Sequence, residues 1–412
     1  MAGLLSRLEQ PKFLSDHSKR LNLFLELAEL IGADMPDNWK ACFELNVPKL
    51  LGRILMDRRT NADPELSARV LSLLAYIVNR VFELERYIKQ PIVEQLLSWS
   101  NLLFQVLVAM RDTIRTAVTQ SRPHPSDGVL NLVAAYGRLY RQRDNYPQLL
   151  PSHFGILVIY AWAHYANRSN SGGGTTLQIF DRMLMHAPDQ VCVPFRKLTT
   201  MGGVPPDTLA ARFNDELQRE DLDGEMFGAC LRTMCFFGGA GDHSILPVLV
   251  THDVYRSLYD ALLGQRKTIS REVEWKAICM MPGLLWTMFA RCVRPSSPET
   301  FRHMEYLLAF MARAAVLAPK FDRPDGTYTE QWTGLCSNVC AFLRSSPGAP
   351  DRAFMVETIR RYWTPTVGYL SAVHVRATEN STRMLVAWRE LGLAIGMERA
   401  ACAVAMGLPT SK

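Results

Sequence analysis

The longest apolar stretch of the chain lies between Pro91 and Thr119, and within it Glu94, Ser98, Asn101 and Gln105 recur at intervals of four, three and four. That spacing gathers them into one narrow polar stripe of an α-helix. Leu96, Leu97, Trp99, Leu102, Leu103, Phe104, Val106, Leu107 and Met110 cover the rest of the circumference, so the pattern predicts a helix enclosed on at least two sides. Pro91 suits its first turn, where a missing N–H costs nothing. Leu103, Leu107 and Met110 are expected to be shielded from water.

Helical spacing recurs on both sides. Leu21, Phe24, Leu25, Ala28 and Ile31 predict a helix from Asp16 that Gly32 stops, followed by others over Asn38 to Leu45 and from Pro48. Asp63 before Pro64 reads as an N-cap, opening a stripe through Leu66, Val70, Leu73, Leu74, Ile77, Val78, Val81 and Leu84 that ends at Gln90. Ser126 or Asp127 is expected to cap a helix through Tyr140, and another starts near Pro151 and runs to Arg168. Further helices are expected over Gly224 to Phe237, Ile245 to Val250 and Asp253 to Leu263, then from Ser270 past Phe289 with a kink or break at Pro282. The last predicted helices are Thr300 to Leu317, Gln331 to Leu343, Arg352 to Tyr362, Val367 to Val375, Ser381 to Ile395 and Glu398 to Ala405.

No alternating strand pattern bounded by hairpin turns occurs, so the expected class is all-α. Helix number and length fit an irregular armadillo- or HEAT-like α-solenoid or a large multi-helix bundle. No fixed repeat period selects between them. The segment 167–176, NRSNSGGGTT, breaks the pattern with three consecutive glycines. It divides an N-terminal helical domain, 1–168, built around the 91–119 helix, from a C-terminal one, 169–412, unless the two form one continuous array.

Composition agrees with a folded chain: 48% of the 412 residues are hydrophobic and 21% charged, which excludes wholesale disorder. A membrane-spanning helix needs roughly 20 nearly uninterrupted apolar residues. Gln105 interrupts the best run, so no membrane span is expected. Arg7 and Glu9 stand where a secretory signal would be apolar, so the expected location is intracellular, cytoplasmic or nuclear. The nine cysteines are scattered, as expected of reduced, buried thiols rather than a disulfide framework. The net charge of +6 is spread, with only short basic groups such as Arg138, Arg141 and Arg143.

Candidate chemistry is sparse. The glycine-rich loop from Gly238 to His243 lacks both a preceding strand and the Gly-Lys-Ser/Thr of a phosphate-binding loop. Cys336 and Cys340 share a helix face, as do Cys230 and Cys235 approximately, but no arrangement supplies the four ligands of structural zinc. His153 and His164 on one helix read as packing or solvent-facing residues. Gly-x-Ser-x-Gly, His-Glu-x-x-His and kinase-type glycine patterns are absent from the sequence. No catalytic, metal-ligating or cofactor-binding residue is therefore assigned, and no cofactor is expected. Arg360, Arg361, Tyr362 and Trp363, followed by Pro365 at a predicted helix end, combine residue types enriched in interface hot spots and are the candidate partner-binding residues.

The run Ala387-Trp388-Arg389-Glu390-Leu391-Gly392, continuing to Gly396 and Glu398, resembles the helix that precedes the zinc finger in large fungal families of MYND-finger proteins. The resemblance implies a long helical region associated with such a finger. Closely spaced cysteine pairs do not follow: after Gly396 the sequence holds only Cys402, so zinc is not carried over. Trp388, Leu391 and Gly392 also match the start of a tetratricopeptide motif, yet Ile395 stands where tyrosine belongs and no 34-residue recurrence accompanies it. The expected function is a non-enzymatic α-helical scaffold for protein–protein interaction. A nucleic-acid-associated regulator using scattered Arg and Lys is the alternative, and an enzyme with a site in a helical cavity is the third reading.

Overall fold

Helical spacing, caps and proline placement produce the expected class. The computed structural model describes residues 17–32, 36–57, 63–84, 86–117, 124–142, 149–165, 172–187, 203–238, 245–264, 304–322, 325–345, 350–373 and 378–397, and positions 3, 6, 7, 60, 195, 196, 278 and 279. Among the described residues the protein is all-α, without strands. It divides into two compact units, 1–205 and 206–412.

The first unit contains α1 (His17–Gly32), α2 (Pro36–Glu44), α3 (Val47–Met56), α4 (Pro64–Arg80), α5 (Arg86–Thr116), α6 (Pro125–Arg141), α7 (His153–His164) and α8 (Gly172–His186). Asp63 caps α4 as expected, its Oδ1 accepting the Leu66 N–H at 3.1 Å, with Pro64 in the first turn. At α6 the cap is His124 rather than Ser126 or Asp127. His124 Nδ1 accepts the Ser126 N–H at 3.1 Å, and Asp127 Oδ2 accepts the His124 N–H at 3.3 Å. Pro125 explains the shift: it takes the first helical position and pushes the residue before it into extended backbone, where a cap belongs.

Pro91 does not begin the central helix. A 3₁₀ turn, Val81–Glu83, and extended backbone at Leu84 separate α4 from α5, and α5 then runs from Arg86 through Pro91. The exposed proline ring leaves the helix only one backbone bond short there. Glu94, Ser98, Asn101 and Gln105 are all exposed, while Leu103, Leu107 and Met110 are buried. Leu102, expected inside, is 49% exposed, so the covered face of α5 is narrower than the run of apolar letters implies. By length and composition Lys89–Thr116 could cross a membrane. Here its inward face packs on protein: Phe104 meets Tyr136 and Phe154 at ring centroid distances of 5.0 and 4.8 Å, and the Tyr140 hydroxyl donates to Ser100 Oγ at 2.9 Å.

Helices pair with their second neighbours, α4 with α6, α6 with α8 and α5 with α7, which gives this unit two layers. The division expected after residue 168 falls inside the unit. Gly172–Gly174 form the first turn of α8, and that helix packs on α6 and α7 through Leu177, Phe180 and Met183, all fully buried. A Cβ at Gly137 of α6 would lie 2.5 Å from Cδ1 of Ile179 on α8, so the Ile179 side chain packs directly over this glycine. Leu25 of α1 is 40% exposed despite the predicted stripe, which instead runs through Leu23, Phe24, Leu27 and Ile31.

The second unit contains α9 (Pro206–Leu217), α10 (Gly224–Gly238), α11 (Ile245–Thr251), α12 (Val254–Gly264), α13 (Met304–Phe321), α14 (Thr327–Ser345), α15 (Pro350–Val373) and α16 (Glu379–Ala394). α9 packs on α11 and α12, α13 on α15, and α14 on α16. The two helices expected over Arg352 to Tyr362 and Val367 to Val375 are one helix, α15, which passes through Pro365. The ring is exposed, and Thr366 Oγ1 donates to the Tyr362 carbonyl at 2.7 Å, bracing the turn. The Ser270 helix apart from Ile278 and Cys279, the Pro282 kink, the 239–244 loop, the Glu398 to Ala405 helix, and Cys192, Cys292 and Cys402 lie outside the described residues.

The tyrosines between the layers of the first unit predict alkaline sensitivity. Burial raises the ionisation of Tyr136, Tyr140, Tyr160 and Tyr165 above the ordinary tyrosine value. A raised folded-state value means that the native state holds its protons longer. Stability is therefore complete below about pH 10, the unfolded value, and is lost as pH rises through the raised values. Thermal melts between pH 8 and 12 should show Tm falling above about pH 10; a flat Tm would contradict this account.

Candidate interaction groove

Successive residues of an α-helix point about 100° apart, so Arg360, Arg361, Tyr362 and Trp363 cannot form one patch in the middle of α15. Arg360 Nη2 donates to the Ile395 carbonyl at 3.4 Å, placing a cation at the C-terminal end of α16. Arg361 pairs with Glu305 of α13. Trp363 is buried, and its Nε1 donates to the Trp388 carbonyl at 2.7 Å. Tyr362 lines a cavity.

That cavity is a groove of about 310 Å³ between α12, α13 and α15. Ala309, Phe310 and Ala312, all buried, belong to α13; Tyr259 and Leu262 come from α12, and Tyr362, Pro365, Thr366 and Tyr369 from α15. Tyr259 stands edge-on to Phe310 at 5.9 Å and lies 5.4 Å from Tyr306. Tyr369 is 42% exposed. Burial, followed by the neighbouring Tyr259 and Glu305 and a hydrogen bond with Tyr259, pushes the Tyr362 hydroxyl up to about 12, so it remains a proton donor at neutral pH. Sequence reasoning located Tyr362 but missed its companions. Tyr369 lies seven residues further along the same face, hidden by the expectation that Pro365 ends the helix. Tyr259 and Phe310 come from distant segments, and no local pattern links them to α15.

Two other depressions are built differently. One of about 760 Å³ between α14 and α16 is lined by Asp325, Glu330, Arg344, Arg383 and Glu390 among others, with Arg344 paired to Glu390 at 3.1 Å and Arg383 to Glu379. One of about 440 Å³ in the first unit is nearly apolar, lined by Phe24, Leu25, Leu73 and Tyr76 with Arg69.

Reactive side chains are held in packing roles. Cys336 and Cys340 are buried, and burial raises the Cys340 thiol to about 11, so it is not a thiolate at neutral pH. His164 lies against Tyr160 with the two rings tilted, their centroids 4.4 Å apart, and hydrogen-bonds the Gly203 carbonyl through Nε2 at 2.9 Å; burial lowers its pKa. His153 lies 3.3 Å from Asn101 Oδ1 at the surface. Arg212 and Glu216 form a buried ion pair on α9, with Arg219 also on Glu216 at 3.2 Å. Among the described residues no three His, Cys, Asp or Glu side chains are grouped to hold a metal ion.

The residues behind the MYND-associated resemblance have structural roles. Trp388 and Leu391 are buried. Gly392 faces the Trp363 ring with no room for a Cβ, which would lie 2.6 Å from it. Gly396, at φ 81°, closes the helix: its N–H reaches the Leu393 carbonyl at 3.1 Å, and the Met397 N–H reaches the Gly392 carbonyl at 3.0 Å. No known family model matches the chain, and no characterised protein matches it in sequence.

Proposed function

We propose that the protein is a non-enzymatic α-helical scaffold, working inside the cell, that binds another protein through the groove between α12, α13 and α15. The observation that carries this reading is the groove itself: tyrosine rings from two helices flank a floor of small and aromatic side chains, and Tyr369 remains partly open to solvent. Aromatic anchors with a polar tip combine large contact area with a hydrogen-bonding group, which is why they dominate interface energetics. All the lining residues of the groove lie on three helices, not on loops. The likeness of α16 to the helix preceding MYND fingers fits a scaffold role, although the packing of Trp388 and Gly392 on Trp363 accounts for much of the pattern by itself.

The test compares wild-type protein with Tyr369→Ala, a change at a partly exposed position that leaves the core intact. Quantitative capture from one extract should yield at least one protein that the variant retains several-fold less. Identical capture profiles would overturn the groove as the binding face. Electrophoretic shifts with RNA and DNA at low and moderate salt address the alternative: a shift that weakens steeply with salt and ignores Tyr369→Ala would favour a nucleic-acid regulator.

A further inference from the structure

We infer that the first unit carries a docking surface of its own, a cationic patch around Phe82 that takes an acidic segment of a partner protein. It is independent of the groove between α12, α13 and α15. Phe82 is half-buried and lies in the 3₁₀ turn between α4 and α5. Lys89 Nζ of α5 stands 5.2 Å from the centre of its ring, and Arg138 Cζ of α6 stands 5.9 Å from it. Arg141, exposed three residues further along α6, shares a helix face with Arg138.

Two features mark the patch as a place for anions. The first is pairing. Among the described residues Lys89, Arg138 and Arg141 have no carboxylate partner, and Glu83, which follows Phe82, is taken by Arg80. Like charges gathered without counter-charges repel one another, and an incoming anion relieves that repulsion at all three. The second is placement. Arg138 and Arg141 sit in the last turn of α6, where the helix dipole favours cations, so the helix alone accounts for them. It does not account for Lys89. That residue stands in the first turn of α5, where the dipole favours anions and no acidic residue is present.

The size and chemistry of the patch favour a protein partner over a nucleic acid. Three cations neutralise about three phosphates, whereas nucleic-acid binders commonly rely on about six to ten such contacts. The aromatic ring on which a base would stack already carries two cations. A short run of glutamate or aspartate needs neither a long track nor a stacking platform. Its carboxylates match the planar forks of Arg138 and Arg141 in bidentate geometry, and Lys89 supplies a point charge beside them.

Fluorescence anisotropy with the full chain, at low and moderate salt, tests this with a labelled peptide of alternating glutamate and serine, its glutamine counterpart, and a single-stranded RNA of similar length. The glutamate peptide should bind best and weaken as salt rises, and the double variant Lys89→Gln/Arg138→Gln should lose about tenfold in affinity for it. Lys49→Gln/Arg53→Gln is the matched control: it removes the same charge from exposed positions of α3 and should bind as the wild type does. Equal losses in the two double variants would show diffuse attraction and overturn the patch. So would a glutamate peptide that fails to bind, binds no better than the glutamine peptide, or ignores Lys89→Gln/Arg138→Gln. Tighter binding of the RNA, weakened by that same variant, overturns the acidic segment in favour of nucleic acid. Thermal melts confirm folding. Should the double variant not fold, Arg141→Gln at its exposed position takes its place, with a several-fold loss expected and an unchanged affinity overturning the proposal. None of these outcomes bears on the groove of the second unit, which Tyr369→Ala tests.

Discussion

Leu107→Asp is expected to leave no soluble, cooperatively folded protein. Leu107 is fully buried on α5, one turn from Phe104, whose ring packs against both Tyr136 of α6 and Phe154 of α7. Truncating a buried leucine alone costs about 2–5 kcal/mol, and an unpaired carboxylate in such a site costs several more. The sum approaches or exceeds the whole stability of an ordinary domain, about 5–15 kcal/mol. Leu102→Asp is the matched control on the same helix: Leu102 is 49% exposed, and a charge there remains in water. Expression of both variants, with circular dichroism melts of any soluble fraction, checks the contrast. A Leu107→Asp protein that melts cooperatively near the wild-type temperature would show that α5 is not the centre of this unit.

The same pair of leucines shows how far the sequence could be read. The polar stripe of α5 located its exposed face, because a 3.6-residue period survives any packing arrangement. It could not say how wide the covered face is, since that depends on how many helices lie against α5. Leu102 sits just outside the contact and Leu103 just inside it. Cap signals fared in the same way. Asp63 and Pro64 act within one turn and were legible, whereas His124 displaced the expected Ser126 because an imidazole nitrogen can do the work of a hydroxyl.

Prolines were the least legible letters. Pro91 and Pro365 both lie inside helices whose neighbours and exposed rings tolerate the missing donor, and reading Pro365 as a terminus cut α15 in two. That break hid the groove. With α15 continuous, Tyr362 and Tyr369 fall on one face, but Tyr259 and Phe310 still arrive only through packing of α12 and α13. The four candidate interface residues were adjacent in sequence and scattered in space, so their composition matched a hot spot that the helix does not build.

Gly392→Ala is expected to destabilise the second unit by roughly 2 kcal/mol or more, although the same change in an open helical position stabilises. Alanine is favoured over glycine within a helix by about 1 kcal/mol. At Gly392, however, the new Cβ would lie 2.6–2.7 Å from three atoms of the Trp363 indole. That ring is buried and anchored by its bond to the Trp388 carbonyl, so it cannot swing aside as a flexible side-chain tip would. Overpacking of this kind typically costs about 1–3 kcal/mol, and breaking the indole bond adds about 1 kcal/mol. Gly334→Ala on α14 is the control, since nothing lies within 4 Å of its Cβ and the substitution should stabilise. Urea melts of the two variants should move in opposite directions from the wild type. Trp363 immediately follows Tyr362 on α15, so the displacement that relieves the clash also shifts a wall of the groove. Gly392→Ala should therefore weaken capture of any protein whose retention depends on Tyr369, while the protein is still folded. Unchanged capture would mean that α15 holds its groove face independently of the Trp363 contact.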